Sequence, residues 1–212
     1  MSQSNTSVCA GNEPSFLVRN RTRIGRFLLV LLLPVLLLVH HPWREEAYLD
    51  FALDSLGYVL VVFGVLVRLW ATLYVGGRKE TTLQTTGPYS VVRHPLYLGS
   101  LTIGLGVSAL SENPLVLALF VAYFLVQYST TIRHEEEVLK QAFGDEYAEY
   151  ARRVPCFVPR ISTFDATPPD RIVVWALRKE LVRSVCFLAA IPILDLIARL
   201  HESGTLWSLR FP

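Results

Sequence analysis

The chain contains few cysteines and little charge for its length. Three of its 212 residues are cysteine, and charged residues make up 18% of the sequence. Cys9, Cys156 and Cys186 lie far apart and form no CxxC pair, so they indicate neither a zinc site nor a disulfide framework. An HExxH motif is also absent. The formal net charge of +2 favours no class of partner by itself, and we expect neither a metal nor a nucleic acid to bind.

Long apolar runs dominate the sequence instead. Hydrophobic residues make up 52% of the chain and occur in blocks, without the periodicity of a soluble helix. The blocks are 27–39, 51–75, 96–110, 115–132 and a weaker fifth at 184–200. A membrane-crossing helix needs about 20 apolar residues, a length that the second and fourth blocks meet and the first reaches with its flanks. We therefore predict an all-α integral membrane protein with about five transmembrane helices.

Basic residues alternate between the two sides of these blocks. Arginines precede the first block, and further basic residues lie in segments 76–95 and 133–171. The intervening loops hold only Arg44. By the positive-inside rule, the N-terminus and both basic segments are predicted to be cytoplasmic.

These features divide the chain into four predicted parts. Residues 1–23 are a polar leader, and residues 24–75 hold two transmembrane helices. Residues 76–160 hold a polar loop, a helical hairpin and an acidic helix, and residues 161–212 hold a linker and a C-terminal helical extension. No small-residue cleavage site follows the first apolar block, so we expect a retained anchor rather than a signal peptide.

A first polar cluster precedes the third apolar block. Gly87 and Pro88 favour a turn, and Pro95 is suited to the first turn of a helix. Arg93, His94 and the tyrosines on either side of them therefore lie at a helix N-terminus, where free N–H groups suit a carboxylate or phosphate. Interfacial anchoring of tyrosine and arginine is the alternative interpretation.

A second polar cluster, His134-Glu-Glu-Glu, follows the fourth block. On a helix, Leu139 shares a face with Glu135 and Glu136, whereas Glu137 points outward toward Lys140. Two inward carboxylates beside a membrane hairpin suit an amine, ribose hydroxyls or a sulfonium cation. Both clusters fall on the predicted cytoplasmic side, which favours one shared site for a nucleotide-like cofactor. Gly144 is predicted to end this helix, and Tyr147 and Tyr150 to pack it against the hairpin.

Three features inside the apolar blocks have structural interpretations. Residues 104–109 fit the dinucleotide pattern GxGxxA, but no strand precedes them, so we do not interpret them as a cofactor motif. Ser100, Gly104 and Ser108 recur every four residues and predict a smooth face for close helix packing. Arg68 is interpreted as a snorkelling or helix-end residue.

The two clusters together resemble the isoprenylcysteine carboxyl methyltransferase family and, more broadly, the membrane phospholipid methyltransferases. The matching pattern begins with Gly87-Pro-Tyr-Ser-Val-Val-Arg-His-Pro-Leu-Tyr-Leu-Gly99. It continues with Glu135, Glu136, Leu139, Phe143-Gly144, Glu146-Tyr147, Tyr150 and Arg153-Val-Pro155. The resemblance implies an integral-membrane enzyme that uses S-adenosylmethionine. The cofactor-binding residues that it implies are Leu83, Gln84, Tyr89, His94, Pro95, Leu96, Tyr97, Glu135 and Glu136.

The methyl acceptor is left open by two departures from the family pattern. The substrate-binding arginine of eukaryotic members aligns with Thr131, and Arg133 is the nearest base. The segment from 163 to the end has no identified counterpart in the family. We expect a lipophilic or lipid-modified acceptor with a carboxylate, thiol or amine, entering from the membrane lipid, and Arg133 or Arg93 to orient an anionic one. Alternatives are a sterol-type reductase that uses NADPH and a non-catalytic membrane scaffold.

Overall fold

The computed structural model describes residues 20, 23, 47–76, 82–111, 113–169 and 171–203. Within these ranges the chain forms five α-helices and one 3-10 turn, with no strand. The helices are α1 (Ala47–Val75), α2 (Pro88–Val91), α3 (Pro95–Leu110), α4 (Pro114–Arg153) and α5 (Val174–Glu202), and the 3-10 turn is Ile161–Thr163. The first apolar block, 27–39, lies outside the described residues.

Three of the described helices are long and apolar enough to cross a membrane, namely α1, α4 and α5. The fourth, α3, is apolar but has only 16 residues. At about 1.5 Å per residue it falls short of the roughly 30 Å hydrocarbon core. The predicted all-α membrane class is confirmed. The fifth apolar block is part of a helix that begins at Val174, ten residues before the sequence pattern suggested.

Glycines allow α1 and α3 to pack closely together. A Cβ on Gly64 would lie 2.7 Å from the backbone oxygen of Gly99, and a Cβ on Gly106 would lie 2.7 Å from that of Gly57. Backbones can approach in this way only where small residues line the contact, as is common between helices in lipid. The predicted stripe at Ser100, Gly104 and Ser108 also packs closely, because Ser100 contacts Arg68 of α1 and Gly104 lies against the ring of Phe120.

An ion pair attaches α5 to this helix pair. The Nε of Arg68 lies 2.6 Å from a carboxylate oxygen of Glu180, whose side chain is buried. The guanidinium also donates to Ser100 Oγ at 2.5 Å and lies 5.7 Å from the centre of the Phe187 ring. The snorkelling interpretation of Arg68 was wrong, because its charge is neutralised between helices rather than at the lipid surface.

The second arm of the predicted hairpin and the acidic segment form one helix, α4, which has 40 residues. Asn113 begins it by accepting a hydrogen bond from the backbone of Leu115. Gly144, predicted to end the helix, instead marks a kink with φ 52°, after which helical structure resumes to Arg153. Glycine suits this position because a positive φ is unfavourable for residues with a Cβ. After the kink, Tyr147 and Tyr150 pack around Leu83 and Leu139, and Tyr150 donates to the backbone oxygen of Tyr89, so these contacts are with the first cluster and its flank rather than with the predicted hairpin. Gly104 and Gly106 lie inside α3, so the GxGxxA pattern has no strand before it.

Candidate active site

The first cluster is held by a tight turn and by two helices that each begin with a proline. Gly87 has φ 59°, and its N–H donates to the backbone oxygen of Asp165. Pro88 begins α2 and Pro95 begins α3, where the missing N–H of proline costs no helical hydrogen bond. Between the two helices, Arg93 and His94 lie in non-helical backbone just before the N-terminus of α3.

The second cluster reaches the first from α4. The hydroxyl of Tyr97 donates to Glu135, and the Nε2 of His94 lies 3.1 Å from Oε1 of Glu136. Both acids are half-buried, whereas Glu137 is exposed. The sequence prediction that Glu135 and Glu136 face inward and meet the first cluster is therefore confirmed.

Oε1 of Glu136 is the common contact of three side chains. Arg93 Nη1 lies 3.0 Å from it, His94 Nε2 lies 3.1 Å from it, and Cys156 Sγ lies 3.7 Å from it. Burial, followed by the charge of Glu136, raises the pKa of the Cys156 thiol, so this thiol is protonated at neutral pH. Of the acidic and guanidinium groups here, the two carboxylates of Glu135 and Glu136 outnumber the one guanidinium of Arg93, which leaves one formal negative charge among them.

Two buried polar atoms in this region have no hydrogen-bond partner among the described residues. They are the hydroxyl oxygen of Tyr89 and Nε of Arg93. Burial raises the pKa of Tyr89, and the neighbouring Tyr150 and Glu135 act in the same direction. The Tyr89 hydroxyl is therefore a neutral donor that no described residue uses.

The chain after the kink in α4 closes over the first cluster. Tyr150 donates its hydroxyl to the backbone oxygen of Tyr89 at 2.7 Å. The backbone N–H of Arg93 donates to the backbone oxygen of Pro155 at 2.9 Å, and the Thr163 hydroxyl donates to the backbone oxygen of Ser90 at 2.6 Å. These bonds fix the backbone of the first cluster. Sequence reasoning missed them because the donors and acceptors are about sixty or seventy residues apart.

An aromatic wall lies beside the acidic pair. The ring of Tyr97 lies 4.9 Å from that of Tyr128, which stacks on Phe124 at 4.2 Å. Phe157, from the segment after α4, meets Phe124 edge-on at 6.0 Å. This wall was not predicted from the sequence, although the four-residue spacing of Phe124 and Tyr128 places the two rings on one face of the helix.

Some predicted site residues lie at the edge of the cluster or outside it. Arg133 is exposed, and none of the hydrogen bonds or ion pairs among the described residues involves it. Leu83 packs against Tyr147, Tyr150 and Val154, and Gln84 donates to Thr82 Oγ1 at 3.3 Å.

Other predicted residues support the turn or occupy the aligned family position. Pro95 is fully buried, and Leu96 packs against the buried ring of Tyr89. Thr131, where the family places an arginine, is buried and donates to Gln127 O at 2.7 Å. The structure therefore offers no buried cation at that position.

A histidine, a carboxylate and a thiol come close enough to hold a metal ion. The ligand atoms of His94, Glu136 and Cys156 all lie within 4.8 Å of one another. The expectation that no metal binds was based on sequence neighbours, whereas these residues come from three separate segments. That expectation is not confirmed.

Comparison with known proteins places this site in a family. The sequence profile described as phospholipid methyltransferase matches residues 53–146, which include both polar clusters. The chain is 32% identical to protein-S-isoprenylcysteine O-methyltransferase B of Arabidopsis thaliana, over 52% of the chain and 61% of that protein. No solved structure shows significant similarity to the chain.

Two further proteins are similar in sequence to most of the chain. It is 36% identical to the cobalt-zinc-cadmium resistance protein CzcN of Cupriavidus metallidurans, over 91% of the chain and 88% of that protein. It is 37% identical to the nickel-cobalt-cadmium resistance protein NccN of Alcaligenes xylosoxydans xylosoxydans, over 82% and 81% respectively.

The helical membrane fold and the matched profile define a membrane-embedded methyltransferase. Residues 53–146 belong to the family of membrane methyltransferases that includes the phospholipid and isoprenylcysteine O-methyltransferases, and the chain as a whole is related to CzcN and NccN. The usual methyl donor of this class is S-adenosylmethionine. This assignment favours the methyltransferase interpretation over the reductase and scaffold alternatives.

Proposed function

We propose that the two clusters together bind S-adenosylmethionine and that the protein transfers its methyl group to a lipophilic acceptor. The observation that carries this proposal is the pair of contacts between the N-terminus of α3 and α4, from Tyr97 to Glu135 and from His94 to Glu136. These contacts bring together residues that the family resemblance assigns to the cofactor. The cluster is proposed to face the cytoplasm, in accord with the basic residues around it.

The residues present fit a cationic, nucleotide-bearing cofactor. The unused hydroxyl of Tyr89 and the unused Nε–H of Arg93 are buried donors that a polar ligand would satisfy. The single formal negative charge of the cluster complements a sulfonium cation. The N-terminus of α3, together with Arg93, provides positive potential for the cofactor's carboxylate.

Each proposed contact has a chemical task. Glu135 and Glu136 would provide negative charge near the sulfonium and accept hydrogen bonds from hydroxyl or amino groups. His94 and the backbone from Pro95 to Tyr97 would hold the polar end of the cofactor. Leu83, Gln84 and Leu96 would line its less polar parts. When bound, S-adenosylmethionine supplies an electrophilic methyl group on sulfur.

Alignment of the acceptor with that methyl group is the main catalytic task for the protein. Methyl transfer is an in-line displacement, so holding the reacting atoms in line supplies much of the rate. A carboxylate or thiolate acceptor needs no general base. The aromatic wall of Tyr97, Tyr128 and Phe124 provides an apolar surface at the membrane boundary for a lipophilic group.

Isoprenylcysteine is the substrate in the names of several relatives, and a prenylcysteine carboxylate is accordingly one proposed acceptor. Thiols and lipid amines are the others. Arg93 is better placed than Arg133 to orient an anionic acceptor, because Arg93 lies in the cluster whereas Arg133 is exposed. Thr131 provides no charge for that purpose.

Transfer of labelled methyl groups tests this proposal directly. Purified protein in lipid nanodiscs would receive methyl-labelled S-adenosylmethionine and one acceptor at a time: a farnesylcysteine derivative, phosphatidylethanolamine or an alkyl thiol. We expect label in the lipid-soluble product of one acceptor, and at least a tenfold lower rate in the Glu135→Gln variant. Equal transfer by wild type and by folded Glu135→Gln would contradict the assigned site.

A further inference from the structure

Three potential metal ligands lie together in the candidate active site, and two of them, His94 and Glu136, are also proposed cofactor contacts. Glu136 Oε1 is 3.1 Å from His94 Nε2 and 3.7 Å from Cys156 Sγ, and the three ligand atoms lie within 4.8 Å of one another. His94 is buried, whereas Glu136 and Cys156 are half-buried, which leaves a route from the surface.

These distances are close to those of a bound ion. Zinc binds nitrogen, oxygen and thiolate ligands at about 2.0–2.3 Å in tetrahedral geometry, so neighbouring ligand atoms lie about 3.3–3.8 Å apart. The carboxylate already has nearly this separation from the imidazole and from the thiol. Small side-chain rotations would bring all three ligands to one ion.

The formal charges also balance. The cluster holds two carboxylates and one guanidinium, which leave one negative charge. Loss of the Cys156 proton adds a second negative charge. A divalent cation bound to the thiolate therefore neutralises the site.

We propose that His94, Glu136 and Cys156 bind a divalent ion of the zinc, cobalt and cadmium type, and that this ion excludes the methyl donor. A nitrogen, an oxygen and a sulfur ligand suit these borderline-soft ions better than magnesium or calcium. As the sulfur–metal bond forms, the thiol proton passes to solvent, and no group is oxidised or reduced. Exclusion follows because His94 and Glu136 are also cofactor contacts, so this second statement depends on the proposed function, whereas ion binding does not.

Cobalt absorption tests the ion site without any activity measurement. Co²⁺ would be titrated into purified full-length protein in nanodiscs, and the thiolate-to-cobalt charge-transfer band recorded. We expect a band that saturates at about one ion per chain in wild type and in the Cys9→Ser/Cys186→Ser double variant, which keeps Cys156 as its one cysteine. We expect Cys156→Ser, with both other cysteines present, to lose the band. A band that persists in Cys156→Ser, or that fails in the double variant, would overturn the site.

Competition with S-adenosylhomocysteine tests the second statement. We expect a saturating concentration of Zn²⁺ to weaken its binding to wild type about tenfold or more and to change its binding to Cys156→Ser less than about twofold. A cobalt band without any binding of S-adenosylhomocysteine would contradict the proposed function and support the ion site. Binding of both ligands without competition would contradict exclusion, and S-adenosylhomocysteine binding without a cobalt band would contradict the ion site.

Discussion

At the scale of single residues, the hydroxyl of Tyr89 is buried, and it has no hydrogen-bond partner among the described residues. A buried, unsatisfied polar group destabilises a folded protein by about 1–3 kcal/mol. Nearby Tyr150 has a partner, since its hydroxyl donates to the backbone oxygen of Tyr89 at 2.7 Å. The two tyrosines therefore form a matched pair for testing the role of a hydroxyl.

Replacement of Tyr89 by Phe should weaken cofactor binding without destabilising the free protein. The substitution removes an unsatisfied group, so the melting temperature without ligand should stay the same or rise. Affinity for S-adenosylhomocysteine should fall about fivefold, which corresponds to about one lost hydrogen bond. Thermal melting and titration calorimetry on the same preparation would measure both quantities.

The control for this prediction is Tyr150→Phe. This change leaves the Tyr89 carbonyl without its partner, so the free protein should lose about 1 kcal/mol of stability. If Tyr89→Phe lowered the melting temperature and left affinity unchanged, the hydroxyl would have a structural role and no cofactor contact.

The sequence predicted the acidic pair well and the thiol not at all. Helical periodicity alone separates Glu135 and Glu136 from Glu137, because the three positions differ in their angle to Leu139. The place of Cys156 depends on the kink at Gly144 and on the return of the chain after it. No local pattern encodes that return, so the contact between Cys156 and Glu136 was not predictable.

At the scale of helices, the Arg68–Glu180 pair joins α5 to α1. Arg68 also contacts Ser100, near the N-terminus of α3. Its side chains are 14% and 4% exposed, so neither charge is well solvated. Glu180→Ala should lower the free energy of unfolding by about 3–5 kcal/mol, because it leaves the guanidinium buried without its counter-charge. Thermal melting in detergent would measure the change.

A double substitution separates charge balance from packing. Arg68→Met/Glu180→Leu removes both charges and keeps apolar volume, so it should recover most of the stability lost in Glu180→Ala. Ser100 still donates to Leu96 O at 2.9 Å, so the loss of Arg68 leaves that carbonyl satisfied. If the double variant were less stable than Glu180→Ala, the pair would not be the main link between α5 and α1.

The crossing of α1 and α3 predicts a strong effect of one added methyl group. A Cβ on Gly64 would lie 2.7 Å from both Gly99 O and a side-chain carbon of Ile103. Gly64→Ala should therefore push the helices apart and lower the melting temperature by several degrees, despite the better helix propensity of alanine. The matched control is Leu66→Ala, at a side chain that is 58% exposed on the same helix. An equal effect of both substitutions would contradict the close packing.

Apolar block length predicted the helices but not the way they pack. The blocks specify which segments are stable in lipid, since each must satisfy its own backbone. Which glycines meet depends on the crossing angle, and the four-residue stripe in α3 does not include Gly99 and Gly106, the two glycines that lie against the backbone of α1. The partner of Arg68 lies 112 residues away, beyond the reach of any local pattern.

At the scale of the whole molecule, the proposed orientation places the two ends of α5 on opposite sides of the membrane. Single cysteines introduced at Ser162 and Ser203, both exposed, test this in a chain whose native cysteines are replaced by serine. In right-side-out vesicles, a membrane-impermeant maleimide should label the Ser203→Cys variant and leave the Ser162→Cys variant unlabelled. Inside-out vesicles provide the control and should give the reverse pattern. Labelling of both positions in one vesicle type would show that α5 does not span.

The central claim is that both polar clusters together form one cofactor site. Calorimetric titration of S-adenosylhomocysteine into the full-length protein in nanodiscs, alongside His94→Ala and Glu135→Gln, tests this most directly. The two substitutions lie on different segments, one at the mouth of α3 and one on α4. We predict micromolar binding to wild type and a loss of at least about tenfold in each folded variant. Absence of binding to folded wild type, or full affinity in both variants, would contradict the claim.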